Sequence, residues 1–406
     1  MPKLLQINST ANWGSTGKIA EQIGLVAMAN GWDSYIAYGR SANPSKSNLI
    51  KIGSKLGVYW HVLMSRLFDM HGLASYWATK RLIKQIRLLK PDVIHLHNIH
   101  GYYINYKLLF EYLNSTDTPV VWTLHDCWAF TGHCAHYIDV GCEQWRVGCK
   151  GCKSLKSYPK SILNRLQRNY KIKKTLFLSL GERLTLVPVS KWLALQTEES
   201  FFKRSSIRYI YNGIDINTFV ATKVSAVYEK YSLKEKKLII SVASVWSESK
   251  GFSEFFKLRK KLSDKYVIML VGVSEEQIKK LPQGIIGIQR TQMQQELAEL
   301  YSAAEIVLSL SRAETFGLTI VEGMACGTPA IVYERTALPE LITDTTGVVV
   351  KNVGDIDSVC AAIETIAQNG KDYYSAACRK RAEEYFDKDK CFNQYLELYR
   401  ELLKNK

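Results

Sequence analysis

The chain has no run of eighteen apolar residues anywhere in its 406, which excludes a conventional membrane-spanning helix. Its first eight residues, Met1-Pro2-Lys3-Leu4-Leu5-Gln6-Ile7-Asn8, turn polar too early for a signal-peptide core, which predicts a cytoplasmic protein. It also lacks short repeats and low-complexity tracts. With 47% apolar and 23% charged residues, a disordered or fibrous chain is excluded. Acidic residues are scarce in one half only. Residues 1–190 hold 24 Lys and Arg against 10 Asp and Glu, a net +14, whereas residues 191–406 hold 30 against 28, a net +2. That asymmetry predicts an anionic partner for the first half: nucleic acid, an anionic membrane or a phosphorylated substrate.

What the chain does have is alternation. Strand-like segments at Lys3–Asn8, Ser34–Tyr38, Val93–His97, Val120–His125 and Leu184–Val189 alternate with helical patterns such as Lys18–Ala29 and Tyr76–Leu89. The pattern resumes at Leu238–Val242, Val267–Val271, Ile306–Leu310 and Ala330–Val332, with helices such as Glu254–Leu262 and Leu297–Ala303 between. The strands are apolar on both faces, as parallel sheets covered on both sides require. The expected fold is α/β, with two Rossmann-like domains facing a central cleft. Residues 1–213 would form the first, joined by a C-terminal helix at 388–406, and residues 214–387 the second.

Three motifs bear on chemistry. Gly14-Ser15-Thr16-Gly17-Lys18 opens the first helix after the first strand. It is not a Walker loop, because Asn12 stands at the first glycine position and Ile19 at the magnesium-binding Ser/Thr position. Its glycines suit either an anion at a helix N-terminus or a tight turn. In the second half, Glu314 stands at the carboxyl edge of the expected sheet, where open α/β sheets bind ligands. Glu322 follows eight residues on, roughly 12 Å along a helix, too far for a glycosidase acid/base pair and suited to two contacts on one extended ligand. Taken singly, the same glutamates could be a cap and a solvated helix charge. The third motif is Cys127, Cys134, Cys142, Cys149 and Cys152, five of the nine cysteines within 26 residues.

The run Glu314-Thr315-Phe316-Gly317-Leu318 to Glu322-Gly323-Met324-Ala325-Cys326-Gly327-Thr328-Pro329 resembles the donor-site signature of family-4 retaining glycosyltransferases, which have the GT-B fold. Lys250-Gly251, Tyr211-Asn212-Gly213-Ile214-Asp215, Val187-Pro188-Val189-Ser190, His125-Asp126 and the Gly14–Lys18 loop extend the resemblance over most of the chain. It implies that Glu314 contacts the donor sugar, Glu322 the ribose hydroxyls and Lys250 the diphosphate. Gly14, Gly17, Lys18, Asn212, Phe316, Gly317, Leu318 and Thr319 would complete the donor-binding set. His125 would lie near the reacting sugar, and His125, Glu314 and Lys250 would be the catalytic residues. One departure stands out: the family places an arginine five residues before the lysine, where this chain has Val245. The resemblance further implies a UDP- or GDP-sugar as donor substrate, no cofactor for catalysis and no nucleic-acid partner. The acceptor would be a glycan or lipid-linked oligosaccharide in capsule, exopolysaccharide or lipopolysaccharide synthesis.

Cys134, Cys142, Cys149 and Cys152 fit a loop-closing structural zinc; they equally fit reduced thiols in a satellite core with Trp128, Tyr137 and Trp145. The Cys-rich segment itself resembles an insertion in some polysaccharide-assembly members of the family. Lys150, Lys153, Lys156, Lys160, Arg165, Arg168, Lys171, Lys173 and Lys174, interleaved with apolar residues, form a basic amphipathic stretch. It reads as a solvated helix face or as a contact with the inner face of the plasma membrane, where the enzyme would be peripheral. A different class of protein, a basic zinc-containing nucleic-acid-binding protein, also accounts for the charge and the cysteines, but leaves the Glu314–Glu322 region unexplained.

Overall fold

Strands apolar on both faces are stable only with helices above and below, and among the described residues every strand pairing is parallel, as that cover demands. The computed structural model describes residues 1–404 apart from Lys153 and Glu235. The chain divides into two units, Met1–Tyr211 with Cys391–Lys406, and Asn212–Lys390.

The first unit is built on β1 (Lys3–Asn8), β2 (Asp33–Tyr38), β3 (Asn48–Lys51), β4 (Val93–Leu96), β5 (Val120–Leu124), β6 (Leu184–Pro188) and β7 (Ser206–Ile207). Their order across the sheet is β3-β2-β1-β4-β5-β6-β7. The direction of winding reverses between β1 and β4, so the loops leaving those strands part and leave a crevice at their carboxyl ends. The C-terminal helix, Lys388–Lys404, belongs to this core through its later turns. Phe392, Tyr395, Leu396 and Tyr399 recur at helical spacing and pack with Leu4, Val93 and Val121 of the sheet. Each such side chain contributes about 1.5–3 kcal/mol when fully buried, so the end of the chain is part of the first unit's framework.

The second unit contains β8 (Lys237–Val242), β9 (Tyr266–Val271), β10 (Ile285–Ile288), β11 (Ile306–Ser309), β12 (Ala330–Tyr333) and β13 (Gly347–Val350). Their order is β10-β9-β8-β11-β12-β13, with the reversal between β8 and β11. The segments that enter and leave this unit run side by side: Ile214 N donates to Phe386 O at 2.8 Å, and Lys388 N to Ile214 O at 2.9 Å. Lys388 also pairs with Asp215 at 2.6 Å.

Within the basic stretch, among the described residues, Leu166–Leu178 is helical, and Lys173 on it is buried, 1% exposed. Its Nζ donates to Trp128 O at 2.7 Å and Thr131 O at 3.0 Å and lies 3.4 Å from the centre of the Trp128 ring. Burial pushes its pKa down to about 7. The alternation of lysines with apolar residues is therefore shared between surface and core. Lys153 lies outside the described residues. Among the described residues no helix is long and apolar enough to cross a membrane.

Candidate active site

The loops that follow β8 and β11 flank the reversal in the second sheet, and they bring Lys250 and Glu314 together. Lys250 ends a short turn, Glu248–Lys250, and Gly251 follows it with φ +74°. A side chain at Gly251 would begin 2.5 Å from Leu310 O, so glycine is what lets the two loops close on each other. Arg312 N donates to Ser249 O at 2.9 Å across the same junction. Lys250 Nζ lies 2.6 Å from Glu314 Oε1, with the side chains 32% and 24% exposed. A third loop fixes Glu314 from behind: its N–H donates to Thr336 Oγ1 at 2.9 Å, and Ala337 N donates to its carbonyl.

Gly317, at φ +117°, turns the chain from Glu314 into the helix Leu318–Ala325. A Cβ there would meet Leu338 Cδ2 at 2.7 Å. No side chain caps this helix and no acid stands in its first turn, so the positive end of the helix dipole keeps its attraction for an anion. Leu318 and Thr319, partly accessible, form that first turn. Glu322, on the same helix, accepts from the buried Tyr301 hydroxyl at 3.2 Å. Burial and the nearby Glu322 carboxylate hold the Tyr301 hydroxyl well above its usual pKa. Phe316 is buried against Phe386, with ring centres 5.8 Å apart, so its side chain is core rather than ligand surface. Asn212, the first residue of the unit, is 6% exposed.

Sequence reasoning missed a second charged pair at this edge. Glu254 is 2% exposed and accepts from Arg312 Nη2 at 2.8 Å and from the Tyr333 hydroxyl at 2.7 Å. Arg312 is anchored by this pair, its side chain 46% exposed. The signal was the arginine two residues before Glu314, in a chain whose family-typical arginine position is the exposed Val245.

In the first unit, the edge of β5 carries His125, and its chemistry is fixed by what lies behind it. Gln6 Nε2 donates to Ala20 O at 2.7 Å, which turns Gln6 Oε1 toward His97 Nε2 at 3.0 Å. An amide oxygen can only accept, so His97 carries its proton on Nε2. Burial, with His95 and His125 nearby, holds His97 well below the usual histidine pKa and keeps it neutral. Its Nδ1 is then an acceptor, and the His125 Nε2 that lies 3.1 Å away must donate to it. Burial also pushes His125 down to about 4, opposed by Asp126 and aided by His100, so its lone pair resides on Nδ1. The chain Ala20–Gln6–His97–His125 thus sets a tautomer, with the His125 proton on Nε2.

The other histidines near it have structural partners. His95 spans Tyr399 and Thr123 at 2.6 and 2.7 Å. His100 pairs with Asp126 at 2.9 Å, and His133 with Asp69 at 2.7 Å. The Gly14–Lys18 segment forms the first turn of the helix Gly14–Ala29, at the carboxyl end of β1. Gly14 and Lys18 are exposed, Gly17 is buried, and no acid stands in that turn.

Cys134, Cys142, Cys149 and Cys152 line one small pocket with Tyr137 and Trp145. They do not assemble a zinc set: among the described residues, no three His, Cys, Asp or Glu side chains are placed to hold a metal ion. The sulfurs have other partners. Cys134 hydrogen-bonds to Cys152, whose thiol that bond pulls down to about 6. Gly132 N donates to Cys149 Sγ at 3.1 Å, and Ser154 N to Cys152 Sγ at 3.2 Å. Tyr137, Trp145 and Phe130 stack around them as the satellite core.

Two parallel sheets, each with a charged or polar cluster at its point of reversal, define a two-domain α/β enzyme of the GT-B kind. Family comparison agrees along most of the chain. Residues 24–218 match Glycosyltransferase Family 4, and residues 226–385 match Glycosyl transferases group 1. The chain belongs to the family-4 glycosyltransferases. It is 24% identical over 418 residues to WcaC of Escherichia coli K12, whose name provisionally assigns it to colanic acid biosynthesis as a glycosyl transferase; the alignment covers 98% of this chain and all of WcaC. An uncharacterised 41.2 kDa protein of the cps region of Klebsiella pneumoniae is 22% identical, over 79% of this chain and 81% of that protein.

Among solved structures, the fold matches sucrose-phosphate synthase from Thermosynechococcus elongatus with a TM-score of 0.73 at 15% identity, each chain covered completely. It matches HepE of Anabaena in complex with UDP at a TM-score of 0.66 and 16% identity, over 99% of this chain and all of that one. The rival reading, a nucleic-acid-binding zinc protein, finds no support in these likenesses.

Proposed function

We propose that the protein transfers a sugar from a nucleotide diphosphate sugar to a glycan or lipid-linked oligosaccharide, with retention of configuration, during assembly of a bacterial surface polysaccharide. The observation that carries this reading is the 2.6 Å Lys250–Glu314 pair at the reversal of the second sheet, with Glu322 on the helix that follows. A cation, a carboxylate and an uncapped helix N-terminus within one loop cluster suit a ligand with an anionic centre and hydroxyls on either side. In this reading the second unit holds the donor and the first the acceptor. Lys250 and the Leu318–Thr319 turn hold the diphosphate, Glu314 the sugar and Glu322 the ribose. Gly14–Lys18 adds a second helix end, and His125 lies near the reacting sugar. The UDP and UDP-glucose held by HepE, and the colanic acid and cps contexts of the relatives, support the donor class and the pathway class.

The C1–O bond to phosphate breaks as the acceptor oxygen bonds C1 on the same face. The departing phosphate oxygen takes the acceptor proton. The protein contributes position and charge stabilisation, and Lys250 is the group aimed at the charge that develops. The enzyme works as a peripheral protein at the inner face of the plasma membrane, where lipid-diphosphate acceptors are presented. A panel of UDP-, GDP- and other nucleotide sugars tests the donor reading by thermal stabilisation: a ligand at a hundred times its Kd adds about 2.7 kcal/mol. One nucleotide class should stabilise the protein and lose its effect in Glu322→Ala. Equal, negligible shifts across the panel would refute the reading.

A further inference from the structure

We propose that the helix Lys55–Phe68, the start of the helix Tyr76–Leu89 and the Ile162–Leu163 segment form one docking face for an anionic lipid bilayer. The inference rests on the membrane-side placement proposed above, and it assigns that role to a surface different from the basic stretch the sequence pointed to.

The helix Lys55–Phe68 presents its large apolar residues outward. Leu56, Tyr59, Trp60 and Leu63 are 80%, 71%, 58% and 46% exposed, and Leu67 and Phe68 continue the stripe. Only His61 and Ser65 of this helix are buried. Spacings of three and four residues put these side chains on one stripe, which in an ordinary surface helix would face the core. Neighbouring segments extend it. His61 Nδ1 bonds Ser75 Oγ at 2.8 Å, which seats Tyr76 and the 73% exposed Trp77 beside the helix. Ile162 N donates to Arg66 O at 2.7 Å, and this places the exposed Ile162 and Leu163 at the helix's far end. An apolar face of this extent on one element of a folded chain marks an interaction site.

Its charge selects the partner. Residues 41–91 contain nine Lys and Arg and one acid, Asp69, which is buried against His133. Neither helix has an acidic residue. Lys80 Nζ lies 4.8 and 5.5 Å from the Tyr76 and Trp77 ring centres, and Arg165 lies 5.8 Å from the Phe68 ring, so cations rim the aromatic residues. Trp and Tyr with Leu and Ile, ringed by Lys and Arg, is the composition of helices that lie in the headgroup region of anionic membranes. A second copy of this chain would bring the same positive charge to the contact and be repelled. A single-stranded nucleic acid would use the aromatic residues, but would give Leu56, Leu63 and Ile162 nothing to stack on.

The test is co-sedimentation of the full chain with vesicles of phosphatidylcholine alone and with phosphatidylglycerol added, over a range of salt. Wild type should bind the anionic vesicles, bind neutral ones at least about tenfold more weakly, and release as salt rises. Leu56→Ser/Tyr59→Ser/Trp60→Ser should lose about tenfold or more in binding, since these exposed side chains carry the insertion. Lys171→Glu/Lys174→Glu, on the helix Leu166–Leu178, should bind nearly as wild type. Brominated lipids should quench tryptophan emission in wild type and much less in Trp60→Phe/Trp77→Phe. Undiminished binding by the triple variant overturns the proposal, as does a loss confined to the Lys171/Lys174 variant. A lipid-independent dimer that the triple variant abolishes also overturns it and makes the second copy the occupant. Nucleotide-sugar stabilisation, read on the same preparations, reports on the donor site separately, because none of these substitutions touches it.

Discussion

Exchange of the two charges at the donor site separates a structural role from a chemical one. Lys250→Glu with Glu314→Lys keeps an ion pair where one now spans 2.6 Å, but reverses the charge offered to a diphosphate. The side chains are about a quarter to a third exposed, so solvent screens the pair, and it stabilises the fold by about 1 kcal/mol at most. Breaking it with Lys250→Ala should therefore shift Tm by only about 2–4 °C for a domain of this size. The kinetic effect should be far larger. An electrostatic contact made to charge that develops in the transition state is typically worth about 10²–10³ in kcat. The exchanged variant should keep a near-wild-type Tm and still lose that factor, because Lys at 314 cannot occupy the position from which Lys250 meets the phosphate. Thermal unfolding and initial rates with saturating donor measure both quantities. A double variant with wild-type turnover, or a Lys250→Ala variant whose activity loss follows a loss of folded protein, would refute this reasoning.

Glu322→Ala should raise the donor KM with kcat little changed, since ribose contacts act equally in ground and transition states, whereas Glu314→Ala should chiefly lower kcat; steady-state kinetics separates the two. In ¹⁵N-resolved NMR, His97 and His125 should both appear as neutral Nε2–H tautomers at neutral pH. A variant Gln6→Leu, which removes the accepting oxygen, should disturb that pattern along with kcat, and a native Nδ1–H signal for His125 would contradict the relay. Lys173 gives a pH signature. Its folded pKa is about 7 against 10.5 unfolded, so between these values the unfolded chain binds more protons and this group makes stability rise with pH. Denaturant unfolding from pH 7 to 10 should show a slope steeper in wild type than in Lys173→Met, by up to about 1.4 kcal/mol per pH unit.

The strands with strong apolar runs were legible in the sequence, Lys3–Asn8 to the residue and the others to within one residue at an end, and so was the helix Tyr76–Leu89. The ones not read were edge or short strands. β3 (Asn48–Lys51) is mostly exposed and has no apolar period, and β7 is two residues long. The helix Lys55–Phe68 escaped for a related reason: its apolar stripe points to solvent, so the expectation that apolar residues face a core gave no place for it. Glu314 and Lys250 were legible because local sequence sets both loops, and the order of the parallel strands brings them to one edge. The relay behind His125 was not, since Gln6, Ala20 and His97 lie up to 119 residues from it in the sequence and the fold joins them. Lys173 shows the limit of composition. A basic residue every few positions looks like a solvated face, yet one of them fills the space between the Trp128 ring and two carbonyls.

The central claim is that this site moves a sugar from a nucleotide diphosphate with retention, and product analysis tests it most directly. The purified protein is incubated with the nucleotide sugar that stabilises it most and with a lipid-diphosphate-linked glycan on anionic vesicles, while nucleoside diphosphate release and the anomeric proton of the new linkage are followed by NMR. The predicted result is one nucleoside diphosphate released per sugar transferred, a product with the donor's anomeric configuration, and loss of both signals in Lys250→Ala. An inverted linkage, or sugar transfer that proceeds undiminished in Lys250→Ala, would contradict it.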